Sequence, residues 1–144
     1  MPVPWQPNVP KVPKSRFNVD AYLHPSIERP GSFNVPGGYF LEDDLQGFDP
    51  AFFKISQAEA LWMDPQQRKL LEVVYEAFES SGWTLDDVSG KRMGCFVGSF
   101  TNDFQQMVGN EHDFRHPYVA TGIDTGAIAP RISYVYNLTV KYNT

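Results

Sequence analysis

One cysteine and three histidines are the residues of this 144-residue chain with the most obvious potential for nucleophilic or metal chemistry. A single cysteine excludes an internal disulfide framework and any metal site built from several cysteines. Cys95 stands between Gly94 and Phe96 in an apolar run, where burial disfavours the thiolate that a nucleophile requires. We therefore predict a packed core cysteine at this position rather than a catalytic one.

The histidines contain one spacing typical of a metal site. His112 and His116 are four residues apart, as are paired ligands on one face of a zinc-binding helix. Pro117 biases His116 away from helical conformation, however, and no third ligand is evident nearby. We predict solvent-exposed loop histidines and no metal site. His24, which precedes Pro25, is predicted to be a turn residue.

Three charged residues, Glu59, Asp64 and Arg68, could be imagined as an acid–base set. Helix capping and local ion pairing account for them better. Ser56 and Glu59 have the spacing of a capping box, which predicts the start of a short helix. The sequence therefore assigns no catalytic residue in this region.

The strongest secondary-structure signal is a helix over residues 65–81. Asp64 is a suitable N-cap, Pro65 suits the first helical position, and Gly82 favours the left-handed conformation that ends a helix. Apolar residues recur at helical spacing along it and form one stripe. That stripe comprises Leu70, Leu71, Val74, Ala77 and Phe78.

An apolar run over residues 93–98 predicts a strand buried on both faces. Phe100, Thr101 and Asn102 follow it directly. They would lie at the carboxyl end of the strand, where α/β folds place their sites. A plain turn from strand to helix explains them equally well, so both interpretations stay open.

Two further helices are predicted after this strand. The first begins at Asn102 or Asp103 and stops near Gly109. The second covers residues 125–136, although Pro130 inside it removes a backbone donor and conflicts locally with a helix. A helix, a buried strand and a helix in this order predict an α/β layered architecture.

The beginning of the chain contrasts with this pattern. Five prolines fall between Pro2 and Pro13, and they favour an extended, polyproline-like lead-in over residues 1–14. Residues 15–38 are punctuated by turn sequences, and residues 39–41 are a short strand candidate that leaves the last of these turns.

Bulk composition indicates an ordinary, mildly acidic globular protein. The net charge is −5 and the basic residues are scattered, which argues against nucleic acid or an anionic membrane as a partner. No apolar run approaches the length of about 20 residues that spans a bilayer, and the first residues lack the core of a signal peptide. We expect a cytoplasmic location, so the sequon at Asn137 is interpreted as chance.

One further pattern is specific: the block Met-Asp-Pro-Gln-Gln-Arg at residues 63–68, with shorter matching blocks before and after it. In these blocks the chain resembles the ketosynthase domain of fungal highly reducing type I polyketide synthases. Such an ordered set of blocks makes a chance match implausible, and the match covers residues 15–138. In chain order the matching stretches are 16–20, 24–25, 29–32, 37–41, 48–56, 63–72, 97–100, 121–122 and 131–134.

The resemblance implies an incomplete thiolase-like fold, namely part of the N-terminal half of a ketosynthase, and a homodimeric partner. It also implies decarboxylative Claisen condensation between an acyl thioester and a malonyl unit on phosphopantetheine-bearing acyl carrier protein. That chemistry needs a cysteine nucleophile and two histidines. In the family they follow the stretch that matches residues 134–138, and their motifs are absent from this chain. We therefore expect no catalytic, cofactor or metal residues here and no activity of this chain alone.

The resemblance gives Phe100, Thr101 and Asn102 a possible role. In the family this position lies near the acyl pocket and the dimer interface. The alternative function is that of a truncated, non-catalytic ketosynthase-like protein that acts by interaction or has no role.

The similarity ends abruptly at the last residues. Where the family continues into Gly-Pro and another strand, residues 139–144 read Thr-Val-Lys-Tyr-Asn-Thr. The sequence therefore predicts a lead-in at 1–14, a partial β-ketoacyl synthase N-terminal domain at 15–138, and a non-family tail at 139–144. A truncated gene model, an unspliced boundary and a pseudogene product all remain open as origins of the tail.

We predict that the tail is dispensable for folding, since it has no counterpart in the family. Deletion of residues 139–144 is expected to change the melting temperature by less than about 2 °C in thermal unfolding. Deletion of residues 134–144, which also removes the end of the last family block, is the matched control and should lower it clearly. Equal destabilisation by both deletions would refute the assignment.

Overall fold

A computed structural model describes residues 9–42, 44–110 and 116–139. Contacts divide the chain into an N-terminal unit, Met1–Asp44, and a C-terminal unit, Leu45–Thr144. No helix among the described residues is long and apolar enough to cross a bilayer.

The N-terminal unit is built from turns and two isolated β-bridges. The antiparallel bridge joins Lys11 to Gly37, and the parallel bridge joins Leu23 to Phe33. One 3-10 turn, Val19–Ala21, precedes the second bridge. The strand predicted at residues 39–41 is wrong, because these residues have no ladder partner among those described and Tyr39 is 82% exposed.

The C-terminal unit is helical in its described part. Its helices pack around one apolar core, and a 3-10 turn, Thr125–Ala127, precedes the last of them. In chain order they are α1 (Gln57–Trp62), α2 (Pro65–Ser80), α3 (Leu85–Val88), α4 (Asp103–Gly109), α5 (Val119–Ile123) and α6 (Ile128–Val135).

Local signals correctly predicted α2. The Asp64 carboxylate accepts a hydrogen bond from the Gln66 amide at 2.8 Å, and Gly82 ends the helix region with a φ of 74°. Most of the predicted stripe is also confirmed. Leu71 is fully buried, and Leu70, Val74 and Phe78 pack against the core, whereas Ala77 is exposed. The start of α1 is likewise confirmed, since the Ser56 hydroxyl accepts from the Glu59 amide. The short helix α4 lies where it was predicted.

The strand predicted at residues 93–98 is not formed. These residues carry no strand or helix, and Phe96 is 97% exposed. A strand needs a neighbour to satisfy its backbone donors and acceptors, and no such neighbour lies among the described residues. Cys95 alone of this run packs against the core. The apolar pattern thus identified a segment suited to burial, but its covering surface is not found in the described structure.

The conflict at Pro130 is resolved by the position of the helix start. The 3-10 turn ends at Ala127 and α6 begins at Ile128, so Pro130 is the third residue of the helix. Its missing N–H falls among the first four donors, which have no intrahelical acceptor in any helix. Proline is therefore tolerated at this point.

Two short helices, α3 and α5, were not predicted. In α3 the Thr84 side chain and the Asp87 carboxylate form a reciprocal capping box, a signal that the sequence does contain. The core that these elements enclose comprises Phe53, Met63, Leu71, Val88, Ile128, Ile132 and Tyr136.

The end of the unit is tied back to the loop after α3. The Thr139 amide donates to the Lys91 carbonyl at 2.9 Å, and the Thr139 hydroxyl contacts the Gly90 carbonyl at 3.0 Å. The boundary after residue 138 stays a prediction. A second deletion, of residues 140–144, keeps Thr139. Comparison with the deletion of residues 139–144 then distinguishes the contribution of the Thr139 hydrogen bonds to stability from that of the rest of the tail.

Contact between α1 and α5 depends on a glycine. A Cβ atom added to Gly122 would lie 2.3 Å from the Trp62 carbonyl oxygen, closer than packed atoms tolerate. We predict that Gly122→Ala lowers the free energy of unfolding by about 1–3 kcal/mol, measured by denaturant titration. Gly98→Ala is the control, because nothing lies within 4 Å of its added Cβ. Equal effects of the two substitutions would contradict the close approach.

Candidate functional site

The three candidate residues 100–102 lie beside the start of α2. The Gln66 side-chain amide donates to the Thr101 carbonyl at 3.3 Å, which fixes the loop backbone to the helix. The Phe100 side chain is 100% exposed. The loop is therefore anchored through its backbone while it presents an aromatic ring outward.

Asn102 begins α4 without capping it through its side chain. Its Nδ2 atom donates to Gln105 Oε1 at 3.2 Å, and its Oδ1 accepts from Gln106 Nε2 at 2.9 Å. The helix predicted after these residues is confirmed, but the strand predicted before them is not formed, so they do not lie at the carboxyl end of a strand. The structure brings Thr101 next to α2.

A polar junction lies behind this loop, formed by Asp64, Gln67, Thr121, Gly122 and Asp124. The Asp64 amide donates to the Gly122 carbonyl at 2.8 Å. The Gln67 side-chain amide donates to the carbonyls of both Thr121 and Asp124, each at 3.2 Å. Gln67 is only 2% exposed, and its Oε1 has no hydrogen-bond partner in the described part of the chain.

A part-buried ion pair borders the junction. Arg131 of α6 contacts the Glu59 carboxylate of α1 at 2.6 Å, and it also donates to the Thr121 carbonyl at 3.3 Å. Glu59 is thus committed to a partner distant in sequence, and its carboxylate does not complete the capping box with Ser56. The sequence analysis placed Arg131 in a block shared with the family but predicted no partner for it. A local sequence pattern cannot indicate a contact between residues 72 positions apart.

The acid–base set imagined for Glu59, Asp64 and Arg68 does not form. Asp64 caps α2, as the capping interpretation predicted. Burial raises the pKa of Asp64 above its ordinary value, although the hydrogen bond from Gln66 and the charge of Arg68 oppose this shift. The contact of Asp64 with the Gln66 amide stabilises the start of the helix.

The remaining titratable candidates are separate from one another. The Cys95 thiol is half-buried, and desolvation raises its pKa. His116 precedes α5 as predicted for a loop residue, but it is half-buried between the rings of Trp62 and Tyr118, so the expectation of solvent exposure is wrong. His112 lies outside the described residues.

The turn predicted at His24 is confirmed. The His24 ring accepts from the Ser26 amide at 3.1 Å, in the turn where it was predicted. No group of three or more potential metal ligands is found among residues 9–42, 44–110 and 116–139. The polar contacts in this part of the chain include helix caps, buried amides and the ion pairs Arg131–Glu59 and Lys69–Glu72.

The chain belongs to the β-ketoacyl synthase family, because the family's sequence model for the β-ketoacyl synthase N-terminal domain matches residues 6–141. Among curated relatives, the chain is 63% identical over 129 residues to the reducing polyketide synthase DEP5 of Alternaria brassicicola. It is 53% identical over 128 residues to the highly reducing polyketide synthase srdA of Neurospora crassa. These matches cover 90% and 89% of this chain and 5% of each relative.

Solved structures agree with this assignment. The ketosynthase from module 6 of the bacillaene synthase of Bacillus subtilis superposes with a TM-score of 0.69 at 31% identity. The match covers 92% of this chain and 20% of that one. The predicted fold class, an incomplete thiolase-like fold, is thereby confirmed, even though no strand is formed among the described residues.

The raised pKa of Cys95 has a measurable consequence. Iodoacetamide reacts with the thiolate, so the alkylation rate should rise with pH around a midpoint above that of an ordinary thiol. Mass spectrometry follows this reaction, and the same chain in denaturant is the control because it holds no other cysteine. We expect the folded chain to react at least several-fold more slowly at pH 8. Identical midpoints for the folded and unfolded chains would contradict the buried position.

Proposed function

We propose that this chain is a segment of a polyketide synthase ketosynthase, a domain that condenses acyl and malonyl thioesters. The observation that carries the proposal is the family match over residues 6–141, together with high identity to reducing polyketide synthases. The partners in this proposal are an acyl carrier protein bearing phosphopantetheine and a second ketosynthase in a cytoplasmic homodimer.

The reaction can be divided between this segment and the rest of such a domain. An acyl group moves from its carrier to a cysteine sulfur, the malonyl unit loses CO₂, and the resulting carbanion attacks the acyl carbonyl and releases the thiol. The nucleophile and the assisting histidines belong to family motifs that these 144 residues lack. The chain by itself is therefore proposed to be inactive.

Positioning is the role that remains for this segment. The Gln66–Thr101 bond holds the loop of residues 100–102 against α2. We assign Phe100, Thr101 and Asn102 to the acyl pocket or the dimer interface. The full exposure of Phe100 supports this assignment, since such a ring is available to a surface beyond the described residues.

A segment exchange tests the proposal. Residues 15–138, the proposed extent of the family segment, replace the corresponding stretch of the Alternaria brassicicola synthase, and condensation is followed as CO₂ release and ketoacyl product by mass spectrometry. The chimera is expected to retain condensation, because the identity of 63% preserves the packing that this segment needs. A folded chimera that loads acyl groups but forms no product would contradict the proposed function.

The same chimera tests the assigned residues. Phe100→Ala is expected to change the acyl-chain preference or weaken the dimer, measured by substrate competition and by sedimentation. Val73→Ala is the matched control, because Val73 is a partly exposed apolar residue on the outer face of α2. If both variants behave like the parent chimera, the assignment of Phe100 is wrong.

The second candidate function is that of a non-catalytic interaction protein. Its support is the exposure of two large aromatic side chains, Phe96 and Phe100, within five residues. In that case the chimera fails, while the chain alone captures a defined partner that Phe96→Ser and Phe100→Ser variants lose.

A further inference from the structure

An open groove of about 500 Å³ runs along the C-terminal half of α2 and the turn that precedes α1. Four of its eight lining residues are acidic and none is basic. The lining residues are Gly47, Asp49, Phe52, Phe53, Glu72, Tyr75, Glu76 and Glu79. It thus combines an aromatic surface with a strongly negative rim.

The aromatic floor is held rigidly. Phe52 meets the ring of Phe53 and the ring of Tyr75 edge-to-face, each with ring centres 4.9 Å apart. Phe53 belongs to the core, whereas 46% of Phe52 remains exposed to the groove and solvent. A rigid, half-covered aromatic pair of this kind suits the aliphatic stem or the charged head of a cationic side chain.

The rim carboxylates differ in how far they are compensated within the unit. Asp49 Oδ1 accepts hydrogen bonds from the Ala51 and Phe52 amides at 3.0 and 3.2 Å. Glu72 pairs with Lys69 at 3.2 Å, and Glu79 accepts the Tyr75 hydroxyl at 2.8 Å. The Glu76 carboxylate forms no hydrogen bond or ion pair with any residue in the described part of the chain. The last turn of α2 contains no basic residue, so Glu76 and Glu79 face the negative end of the helix dipole.

These charges restrict what can cover the groove. Glu72 and Glu76 are an i,i+4 like-charge pair, which repels on a helix surface. An apolar cover would desolvate the carboxylates without compensation, and an acidic partner would add to the repulsion. A partner with Lys or Arg side chains relieves both effects, because it neutralises the rim while its aliphatic stems cover Phe52.

From this charge complementarity we infer that the groove is a docking site for a basic, amphipathic segment of a protein partner. The segment places aliphatic and cationic side chains on Phe52 and Tyr75 and its positive charges against Glu72, Glu76 and Glu79. This role is separate from the condensation chemistry and from the loop of residues 100–102.

The test is fluorescence anisotropy with the full 144-residue chain and a labelled short peptide of Lys, Arg and Leu. A peptide of the same length with Glu in place of Lys and Arg is the ligand control. Binding of the basic peptide should weaken as salt rises from 50 to 300 mM, roughly the range over which exposed charges become screened. Glu76→Gln should weaken it about two- to five-fold, and Phe52→Ala more strongly.

Charge reversal gives the sharpest outcome. Glu76→Lys should reduce affinity for the basic peptide and raise affinity for the acidic one, whereas Glu28→Lys, an exposed position in the N-terminal unit, should do neither beyond a small general effect. Circular dichroism confirms that each variant keeps its helices. Absence of binding, binding that ignores Glu76, or equal effects of Glu76→Lys and Glu28→Lys would each overturn the proposal.

Discussion

The close approach between Gly122 of α5 and the corner between α1 and α2 is the constraint on which the C-terminal unit depends. At this point two backbone segments, 58 residues apart at Asp64 and Gly122, touch through an amide–carbonyl hydrogen bond. Only the absence of a Cβ allows the Trp62 carbonyl to pack so tightly. The buried Gln67 side-chain amide donates two further hydrogen bonds at the end of α5, to the carbonyls of Thr121 and Asp124. Buried polar groups are costly unless paired, so this arrangement specifies one register of the contact.

The rest of the unit follows from that register. Once the end of α5 is held against α1 and α2, the following helix α6 runs in the direction that brings Arg131 to Glu59 and Tyr136 to α2. The Tyr136 hydroxyl donates to the Leu71 carbonyl at 2.6 Å inside the core, and its burial holds the phenol neutral by raising its pKa. The candidate loop is positioned at the same helix start, through Gln66. One corner of α2 therefore determines both the core and the loop to which we assign a function.

The parts of this arrangement that depend on local chemistry could be predicted from the sequence. Asp64, Pro65 and Gly82 define the ends of α2 through capping, a fixed φ and a left-handed turn, which act within a few residues. The resemblance of the Met-Asp-Pro-Gln-Gln-Arg block gave the family. The ion pair of Arg131 and the contact of Gly122 could not be found in this way, because they join segments distant in the chain.

At residues 93–98 the sequence predicts an element, a buried strand, that the structure does not form. The composition of these residues correctly indicates a segment suited to burial, but a strand is defined by its neighbour, and the described residues supply none. The site residues share this limit. The predicted helix α4 does follow Phe100, Thr101 and Asn102, while the surface that Phe100 would meet belongs to no described segment.

Hydrogen exchange at the Asp64 amide tests the central constraint most directly. This amide belongs to the N-cap of α2 and has no acceptor within the helix, so its only described partner is the Gly122 carbonyl. If the junction organises the unit, the Asp64 amide will be as protected as the amides in the middle of α2, and both will open together. Exchange of Asp64 at the rate of a loop amide, while the interior of α2 stays protected, would contradict the account.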